Sequence, residues 1–427
     1  MEDNKKLLNK TWEEYKKEGN DFFLKGHMKE AIEQYTLSID SFKETDKNLA
    51  PIYSNRSLAQ FKIENYGAAL IDSEKAIEAD PLFSKSYYRK SSCLFVLGKL
   101  KEAISALTYI QKKLEITSNK EVNDKIKYLK QLLKEKSFYE CIQYEDEFDK
   151  LTPSTLTVEE SYKGPVINRE IPLTSDKVEE LLEFLKDQKK IPKKYVWELC
   201  HWAIEVLNKE SNVVNINVDG NNVERITVCG DIHGQYYDLL NIFKLNGFPS
   251  RKKPYLFNGD FVDRGSFSVE VIIALYLFKV MDPECIYLNR GNHENPDMNK
   301  LYGFEGEVVS KYCDKTFIVF KNSFYSLPLA HVLNKQVLVL HGGLFEKEGI
   351  KINDLNSFNR KIPIPGQGLM CDMLWADPME ENGRSKSQRG ISIQFGPDIA
   401  KRFLDDNGLS CFIRIIGEIS SNERRRI

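Results

Sequence analysis

The stretch that best indicates the fold of the second half of the chain is Gly259-Asp260-Phe261-Val262-Asp263-Arg264-Gly265. It follows a short apolar run, and two similar stretches follow two other runs: Gly230-Asp231-Ile232-His233-Gly234 and Arg290-Gly291-Asn292-His293-Glu294. A fourth run ends in His341-Gly342-Gly343. Because ligands gather beyond the carboxyl ends of strands in α/β sheets, we expect the four stretches to meet at one edge. Their glycines let the backbone turn tightly beside an ion or a phosphate.

The surrounding pattern alternates between strand-like and helical segments. The strand-like runs are Arg225–Cys229, Tyr255–Phe257, Ile286–Leu288 and Val337–Leu340. Helical stretches lie near Ser175–Asp187 and Lys193–Asn208, and others separate the runs. This alternation predicts an α/β domain.

The side chains that end the four runs are carboxylates, an amide oxygen and imidazoles, without a thiolate. Such a set suits Mn, Fe or Zn better than it suits a structural zinc cage. Two such ions about 3.5–4 Å apart can clamp a phosphoryl group and activate a bridging water. The bridging ligand is expected to be a carboxylate, which offers two charged oxygens.

The first third of the chain repeats a different pattern. A small residue is followed by an alanine twelve positions later and then by another apolar residue: Gly19, Ala31, Tyr35; Ser57, Ala69, Ala76; Ser91, Ala103, Leu107. From Ala69 to Ala103 is 34 residues, the period of a tetratricopeptide repeat, and the first repeat carries an insertion around Lys43–Asn48. The pattern predicts an all-α solenoid of three repeats, capped by a long charged helix over Lys120–Tyr144.

These patterns predict several domains in the 427 residues. We place the repeats at 10–144, a linker at 145–165, the α/β domain at 166–414 and an atypical tail at 415–427. Net charge is −2 and the eight cysteines are scattered, which argues against a nucleic-acid partner and against an oxidising compartment. No apolar run approaches the ~18 residues of a membrane span. We expect a monomer in the cytosol, with the nucleus as an alternative.

Together, the motifs in this order and spacing resemble the phosphoprotein phosphatase family. The resemblance implies a calcineurin-like metallophosphoesterase β-sandwich flanked by helices, and hydrolysis of phosphoserine and phosphothreonine in phosphoprotein substrates. The metal ligands it implies are Asp231, His233, Asp260, Asn292 and His341, with Asp260 bridging the two ions. It also implies that His293 is the general acid, that Asp263 orients it, and that Arg264 and Arg389 bind the phosphate.

The chain departs from the family after Arg414. The family has a further metal-binding histidine in an Arg-Ser-His-Glu segment, but here Ile416 follows the predicted helix Asp398–Asn407 and the predicted strand Leu409–Arg414. We therefore expect a weakened second metal site, and we expect the C-terminal strands of the fold to be missing.

The repeats also carry a set of cations and amides: Lys16, Asn20, Asn55, Lys85 and Arg89. Spacings of four place Lys16 with Asn20, and Lys85 with Arg89, on one helix face. The set resembles the carboxylate clamp of repeats that bind the acidic C-terminal tails of heat-shock chaperones. Cations and amide donors are what two carboxylates need.

Three functions remain open on these residues. The first is a metal-dependent protein phosphatase recruited by chaperone tails. The second is a catalytically impaired, phosphatase-like adaptor that binds the tails through its repeats. The third is a phosphoesterase for nucleotides or small molecules, which the protein-binding repeats argue against.

Overall fold

The computed structural model describes residues 10–42, 46–113, 120–141, 147–218 and 223–414. The helices of the first half are α1 (Trp12–Leu24), α2 (Met28–Asp40), α3 (Leu49–Lys62), α4 (Tyr66–Ala79), α5 (Ser84–Val96), α6 (Leu100–Lys113), α7 (Lys120–Cys141), α8 (Ser175–Lys186) and α9 (Lys193–Leu207). Those of the second half are α10 (Tyr236–Asn246), α11 (Ser268–Met281), α12 (Pro296–Tyr302), α13 (Phe304–Lys311), α14 (Asp314–Tyr325), α15 (Leu369–Trp375) and α16 (Pro397–Asn407).

Every strand among the described residues lies after α9. The strands are β1 (Val213–Ile216), β2 (Thr227–Cys229), β3 (Tyr255–Phe257), β4 (Ile286–Leu288), β5 (Ala330–Leu333), β6 (Val337–Leu340), β7 (Asp377–Pro378), β8 (Arg384–Lys386), β9 (Ile393–Phe395) and β10 (Cys411–Ile413). Short 3₁₀ helices span Glu147–Lys150, Pro153–Thr155 and Ile352–Asn356. The chain divides into two compact units, one of Met1–Tyr144 with Lys386–Ile391 and the other of Glu145–Ser385 with Ser392–Ile427.

The helix pairs of the first unit pack through the small residues that the repeat pattern identified. A side chain at Gly19 would lie 2.6 Å from the Tyr35 ring, so only glycine allows α1 and α2 to approach this closely. Ser57 donates from its hydroxyl to the Ala69 carbonyl at 2.7 Å, which joins α3 to α4. Ala69 and Ala103 are fully buried. The predicted solenoid of helical repeats is confirmed.

Polar contacts add to this packing. Thr11 begins α1 with a capping box: its hydroxyl accepts from the Glu14 amide, and its own amide donates to the Glu14 carboxylate at 2.7 Å. Arg56 on α3 donates through two nitrogens to Asp72 on α4, at 2.8 and 2.7 Å, and through a third to Thr36 on α2 at 2.9 Å. A planar guanidinium is suited to this two-pronged contact, so Arg56 ties three consecutive helices together.

Two of the three sheets in the described residues form the sandwich of the second unit, and the third has the order β7-β9-β8. One sheet of the sandwich has the order β1-β5-β6-β10, with only the β5–β6 pair antiparallel, and the other is the parallel sheet β2-β3-β4. Apolar side chains from both sheets pack together between them: Ile216, Leu256, Leu333 and Val339. The opposite face of β3 presents Tyr255 and Phe257 to the large core formed with α8, α9, α11 and α14. The expected α/β sandwich flanked by helices is confirmed.

Polar side chains also cross between the sheets. Asn258 donates to the Leu340 carbonyl at 2.9 Å, and Asn289 donates to Asn258 Oδ1 at 2.6 Å. His331 Nδ1 donates to Asn289 Oδ1 at 2.7 Å. Because buried polar groups need partners, these bonds fix the register of one sheet on the other at the ends of β3 and β6.

Element bounds agree closely with the sequence predictions. Strands β3, β4 and β6 have the predicted bounds, and the strand predicted over Leu409–Arg414 covers Cys411–Ile413. Leu151, inside the predicted linker, packs into the main core of the second unit. The tail at 415–427 with Ile416, part of the predicted insertion and the last residues of the predicted capping helix lie outside the described residues. None of the described helices is long and apolar enough to cross a membrane.

Candidate metal centre

The loops after β2, β3, β4 and β6 bring the predicted metal ligands together around Asp260. Ligand atoms of Asp231, Asp260 and His341 all lie within 4.8 Å of one another, and so do those of His233, Asp260 and His293. The two groups share Asp260, the residue predicted to bridge two ions. His293, the predicted general acid, lies in the group of His233, and Asp231, whose Oδ2 is 3.9 Å from His233 Nε2, lies in that of His341.

Each ligand histidine is oriented by a backbone carbonyl. His233 Nδ1 donates to the Val262 carbonyl at 2.9 Å, and His341 Nδ1 donates to the Asn258 carbonyl at 2.8 Å. Each Nε2 then carries the lone pair and faces Asp260 Oδ2, at 3.6 and 3.5 Å. Fixing the tautomer through the other ring nitrogen is typical of histidines that bind metals.

Asn292 provides a test of whether a cation fits. Its Oδ1 lies 2.8 Å from His341 Nε2, so two acceptor atoms face each other. With the amide turned over, its nitrogen would donate to His341 Nε2 at 2.8 Å and to Asp260 Oδ2 at 3.1 Å. Amide oxygen, imidazole nitrogen and carboxylate oxygen therefore converge on one point, which is the arrangement that a divalent cation satisfies.

Asp260 is held by its neighbours on both sides. Its Oδ1 accepts from the His293 amide at 2.9 Å. The buried carboxylate of Glu294 accepts three backbone amides, from Asp260, Phe261 and Gly291, each at 2.8 Å. Burial raises the pKa of Glu294 to about 7, with the charge of Asp260 adding to the effect. Glu294 thus fixes the loops after β3 and β4 against each other.

His293 and Asp263 form a second buried pair beside the ligands. His293 Nδ1 donates to Asp263 Oδ2 at 2.8 Å, and both side chains are fully buried. Asp263 also accepts from Asn299 Nδ2 and from the Phe304 amide, each at 3.0 Å. These bonds hold the carboxylate in place and fix the orientation of the His293 imidazole through Nδ1.

Several site residues have backbone conformations that L-amino acids rarely adopt. The φ angles of His233, Asp260, Asp263 and Arg264 are 43°, 53°, 72° and 67°. Each such residue costs on the order of 1–3 kcal/mol and clusters of them mark functional sites. Gly291 is also required, because a side chain there would overlap the Asp260 carboxylate. The loops are therefore shaped for the positions of these side chains rather than for stability.

Two further features describe the electrostatics of the site. Burial lowers the pKa of His233 to about 4, and the neighbouring His293 adds to this effect. His233 is thus neutral near pH 7, the form that can bind a metal. Arg264 is exposed, and its guanidinium lies 5.4 Å from the centre of the Tyr302 ring.

The structure places Arg389, the other predicted phosphate ligand, beside Glu64. Its Nη1 donates to Glu64 Oε2 at 2.8 Å, and its segment Lys386–Ile391 belongs to the first unit. The sequence assigned no role to Asn258, Glu294 and Asn299, which hold His341, Asp260 and Asp263 in place. The signal for Glu294 was its place directly after His293 in the third motif.

The predicted peptide-binding residues of the first unit lie on α1, α3 and α5. Asn20 Oδ1 accepts from the Tyr35 hydroxyl at 2.8 Å and from Asn55 Nδ2 at 3.0 Å. Lys16 lies 5.8 Å from the centre of the Trp12 ring. Lys85 is exposed, whereas Arg89 is half-buried, and burial lowers the pKa of its guanidinium.

The sandwich and its metal-binding loops define a metallophosphoesterase. The calcineurin-like phosphoesterase family matches residues 224–414, and the PPP5 TPR repeat region matches residues 126–215. Human serine/threonine-protein phosphatase 5 is 42% identical over 95% of this chain and 80% of its own length. Aspergillus oryzae serine/threonine-protein phosphatase T is 40% identical over 93% of this chain and 82% of its own length. The chain therefore belongs to the serine/threonine-protein phosphatase 5 family.

Two solved structures are also similar. A Saccharomyces cerevisiae protein serine/threonine phosphatase with similarity to human phosphatase PP5 is 44% identical, with a TM-score of 0.53 over 55% of this chain and 76% of that one. The first TPR of Spaghetti (RPAP3) bound to the HSP90 peptide SRMEEVD is 27% identical over 29% of this chain and 95% of that one. Its TM-score is 0.27. Membership of the metallophosphoesterase class implies divalent metal ions.

Proposed function

We propose that this chain hydrolyses phosphoserine and phosphothreonine in proteins. The observation that carries the proposal is the convergence of acceptor atoms on Asp260, next to the buried pair of His293 and Asp263. Asp231, His233, Asp260, Asn292 and His341 would hold two divalent ions, with Mn, Fe or Zn favoured by the oxygen and nitrogen donors. Bound there, such ions supply a Lewis acid and lower the pKa of a water molecule.

The chain's own side chains account for the remaining steps. Arg264 binds the phosphate through its guanidinium. Asp263 keeps the His293 imidazole oriented and stabilises its charged form, so that Nε2 presents a proton to the seryl oxygen. When the bond from phosphorus to that oxygen breaks, the proton moves from Nε2 to the oxygen. Water supplies the new oxygen on phosphorus, and the products are serine and inorganic phosphate.

Two variants, compared with the wild type, test the activity. The full chain with Mn²⁺ is expected to release phosphate from a phosphoserine peptide. His293→Ala is expected to lose about 10²- to 10⁴-fold in kcat, the usual contribution of a positioned acid. His201→Ala, which changes a histidine whose Nε2 lies 2.7 Å from the Leu151 carbonyl, is the control. Equal kcat in the wild type and in His293→Ala, or no turnover by folded wild type, would contradict the proposal.

We propose further that the first unit binds acidic C-terminal peptides of heat-shock chaperones. Lys16, Asn20, Asn55, Lys85 and Arg89 are the residues proposed to contact the peptide. The exposed Lys85 ammonium and the half-buried Arg89 guanidinium share one face of α5, which suits two neighbouring carboxylates. Acetylated SRMEEVD is expected to bind the full chain, with a clear loss of affinity in Lys85→Ala and none in Lys101→Ala on the exposed surface of α6. Equal binding by both variants would contradict this assignment.

A further inference from the structure

Helix α5 carries a continuous polar stripe that contains two of the proposed peptide contacts. Residues three, four and seven positions after Lys85 lie on the same helix face as Lys85: Tyr88, Arg89 and Ser92. Lys125 on α7 packs against this stripe. Its Nζ donates to Ser92 Oγ at 3.0 Å and lies 4.5 Å from the centre of the Tyr88 ring. A lysine outside every motif therefore shares a face with Lys85 and Arg89.

The charges on this face are not balanced. Lys125 and Arg89 are both desolvated, and each is subject to the charge of a single carboxylate, Glu121. That carboxylate already accepts the Tyr88 hydroxyl at 2.9 Å. Within the described ranges neither Lys125 nor Arg89 forms an ion pair, and the buried Nε of Arg89 donates no hydrogen bond.

Partly buried cations with too little countercharge are costly, and an added anion that hydrogen-bonds to both relieves that cost. The anion must be small enough to reach two side chains on adjacent helices. A carboxylate meets this requirement, and an acidic peptide is already the ligand proposed for Lys85 and Arg89. A peptide carboxylate therefore fits the face better than a bulkier anion.

We propose that Lys125 is a sixth peptide-binding side chain, which holds a carboxylate of an acidic peptide together with Arg89. The inference rests on the proposed peptide-binding function of the first unit. It adds a residue from the capping helix to the proposed contacts on α1, α3 and α5.

Proton uptake follows from the state of Lys125 in the free chain. Burial, aided by the charge of Arg89, lowers the pKa of Lys125 to about 8, against the raising effects of Glu121 and Cys93. The other facing groups do not titrate in this range, because burial raises the pKa of Cys93 and of Tyr88 to about 12. A bound carboxylate favours the charged ammonium and returns its pKa toward the ordinary value.

The affinity for the peptide should therefore fall as the pH rises above the pKa of Lys125 in the free chain. Below about pH 8 the free chain already carries the proton, so the affinity is at its full value. Above it, binding must recruit a proton, so the affinity falls by up to about tenfold per pH unit. Between about pH 7 and pH 9 we expect the Kd for the peptide to rise about tenfold.

The test is calorimetric titration of the full chain with acetylated SRMEEVD at about pH 7 and pH 9, in buffers of different ionisation enthalpy. The wild type is expected to take up close to one proton per peptide at pH 9. Lys125→Met is expected to bind about tenfold more weakly at pH 7, without pH dependence. Lys125→Arg keeps its charge at both pH values and is expected to bind equally well at each. Lys127→Met, an exposed lysine on the same helix, is the control, and thermal melting confirms that each variant folds.

The outcomes separate this inference from the function on which it rests. Peptide binding that depends on Lys85 but not on Lys125 would overturn the inference and leave the proposed function standing. The same would follow if Lys125→Arg kept the wild-type pH dependence. No binding of the peptide by the wild type at either pH would overturn both.

Discussion

The two units hold their functional side chains in different ways. In the metallophosphoesterase unit, backbone groups hold the functional side chains. The carbonyls of Val262 and Asn258 orient the ligand histidines, and backbone amides anchor Glu294. In the repeat unit side chains hold one another, as Asn20 does between Tyr35 and Asn55. The first arrangement requires strained loops, whereas the second requires only helical spacing.

This difference corresponds to what each site must do. A reaction depends on placing groups within about 0.5 Å of their productive positions, so strain is tolerated where it secures that precision. A groove that binds extended peptides depends on net charge and on reach, which long lysine and arginine side chains on helices provide. Single substitutions at the proposed contacts of the first unit should therefore lower peptide affinity by moderate amounts. Single substitutions at the site of the second unit should lower turnover by orders of magnitude.

The largest effect is expected at the residue that orients the proposed acid. Asp263→Asn keeps the shape of the side chain but cannot stabilise a charged His293, so phosphoserine turnover should fall by about 10²- to 10⁴-fold. Hydrolysis of p-nitrophenyl phosphate should fall much less, because its leaving group needs no proton. Steady-state kinetics on both substrates measure this, with Asp238→Asn on the exposed side of α10 as the control. An equal loss on both substrates would contradict the assigned role.

The next effect concerns stability rather than rate. Glu294→Ala leaves the amides of Asp260, Phe261 and Gly291 without their acceptor. Buried unsatisfied groups cost about 1–3 kcal/mol each, so the unit should lose several kcal/mol of unfolding free energy. Urea unfolding followed by tryptophan fluorescence measures this against Glu380→Ala at an exposed position. A midpoint shared by both variants would show that the loops do not depend on Glu294.

In the repeat unit a smaller loss is expected from Asn20→Ala. The change removes one acceptor from two donors, the nearly buried Tyr35 hydroxyl and Asn55 Nδ2. The stability cost should be about 1–3 kcal/mol, and peptide affinity should fall as well. Asn123→Ala on α7, which removes a single acceptor from Gln111, is the comparison. If Asn20→Ala altered only the affinity, the mutual support of these side chains would be disproved.

The smallest effect is a pH dependence of stability. Folding lowers the pKa of Lys125 from 10.5 to about 8, so the folded chain binds fewer protons than the unfolded chain between these values. Stability should therefore rise with pH in this window, by about 1 kcal/mol between about pH 8 and pH 9. The difference in unfolding free energy between the wild type and Lys125→Met, measured at both pH values, isolates this contribution. A difference that stays constant with pH would argue against a desolvated lysine at this position.

Much of the fold could be predicted from residue spacing. The three strands that end in the motifs were predicted because each is a short apolar run followed by glycine and a ligand. Strands β1 and β5 were missed, since they pair Val213 with Ala330 over a long separation that no local pattern reveals. His331, inside β5, interrupts the apolar run that would have indicated a strand.

The candidate site likewise contains residues that the sequence predicted and residues that it did not. The proposed metal ligands around Asp260 were predicted from their motifs, because only a few residue types can bind a metal. The residues that hold them were missed, because Asn258 and Asn299 act through bonds to a carbonyl and a carboxylate that only the fold brings near. Lys125 was missed for a similar reason, since its place beside Arg89 depends on how α7 packs in the repeat unit.

The central claim is that Asp260 joins two metal positions, and metal content measures this most directly. The full chain, held in excess Mn²⁺, is expected to bind two ions per chain, as measured by equilibrium dialysis and elemental analysis. Asp260→Asn, which removes the only ligand common to both groups, is expected to retain one or none and to lose phosphoserine turnover. An Asp260→Asn chain that kept two ions and full turnover, or a wild type that was fully active without metal, would contradict the account.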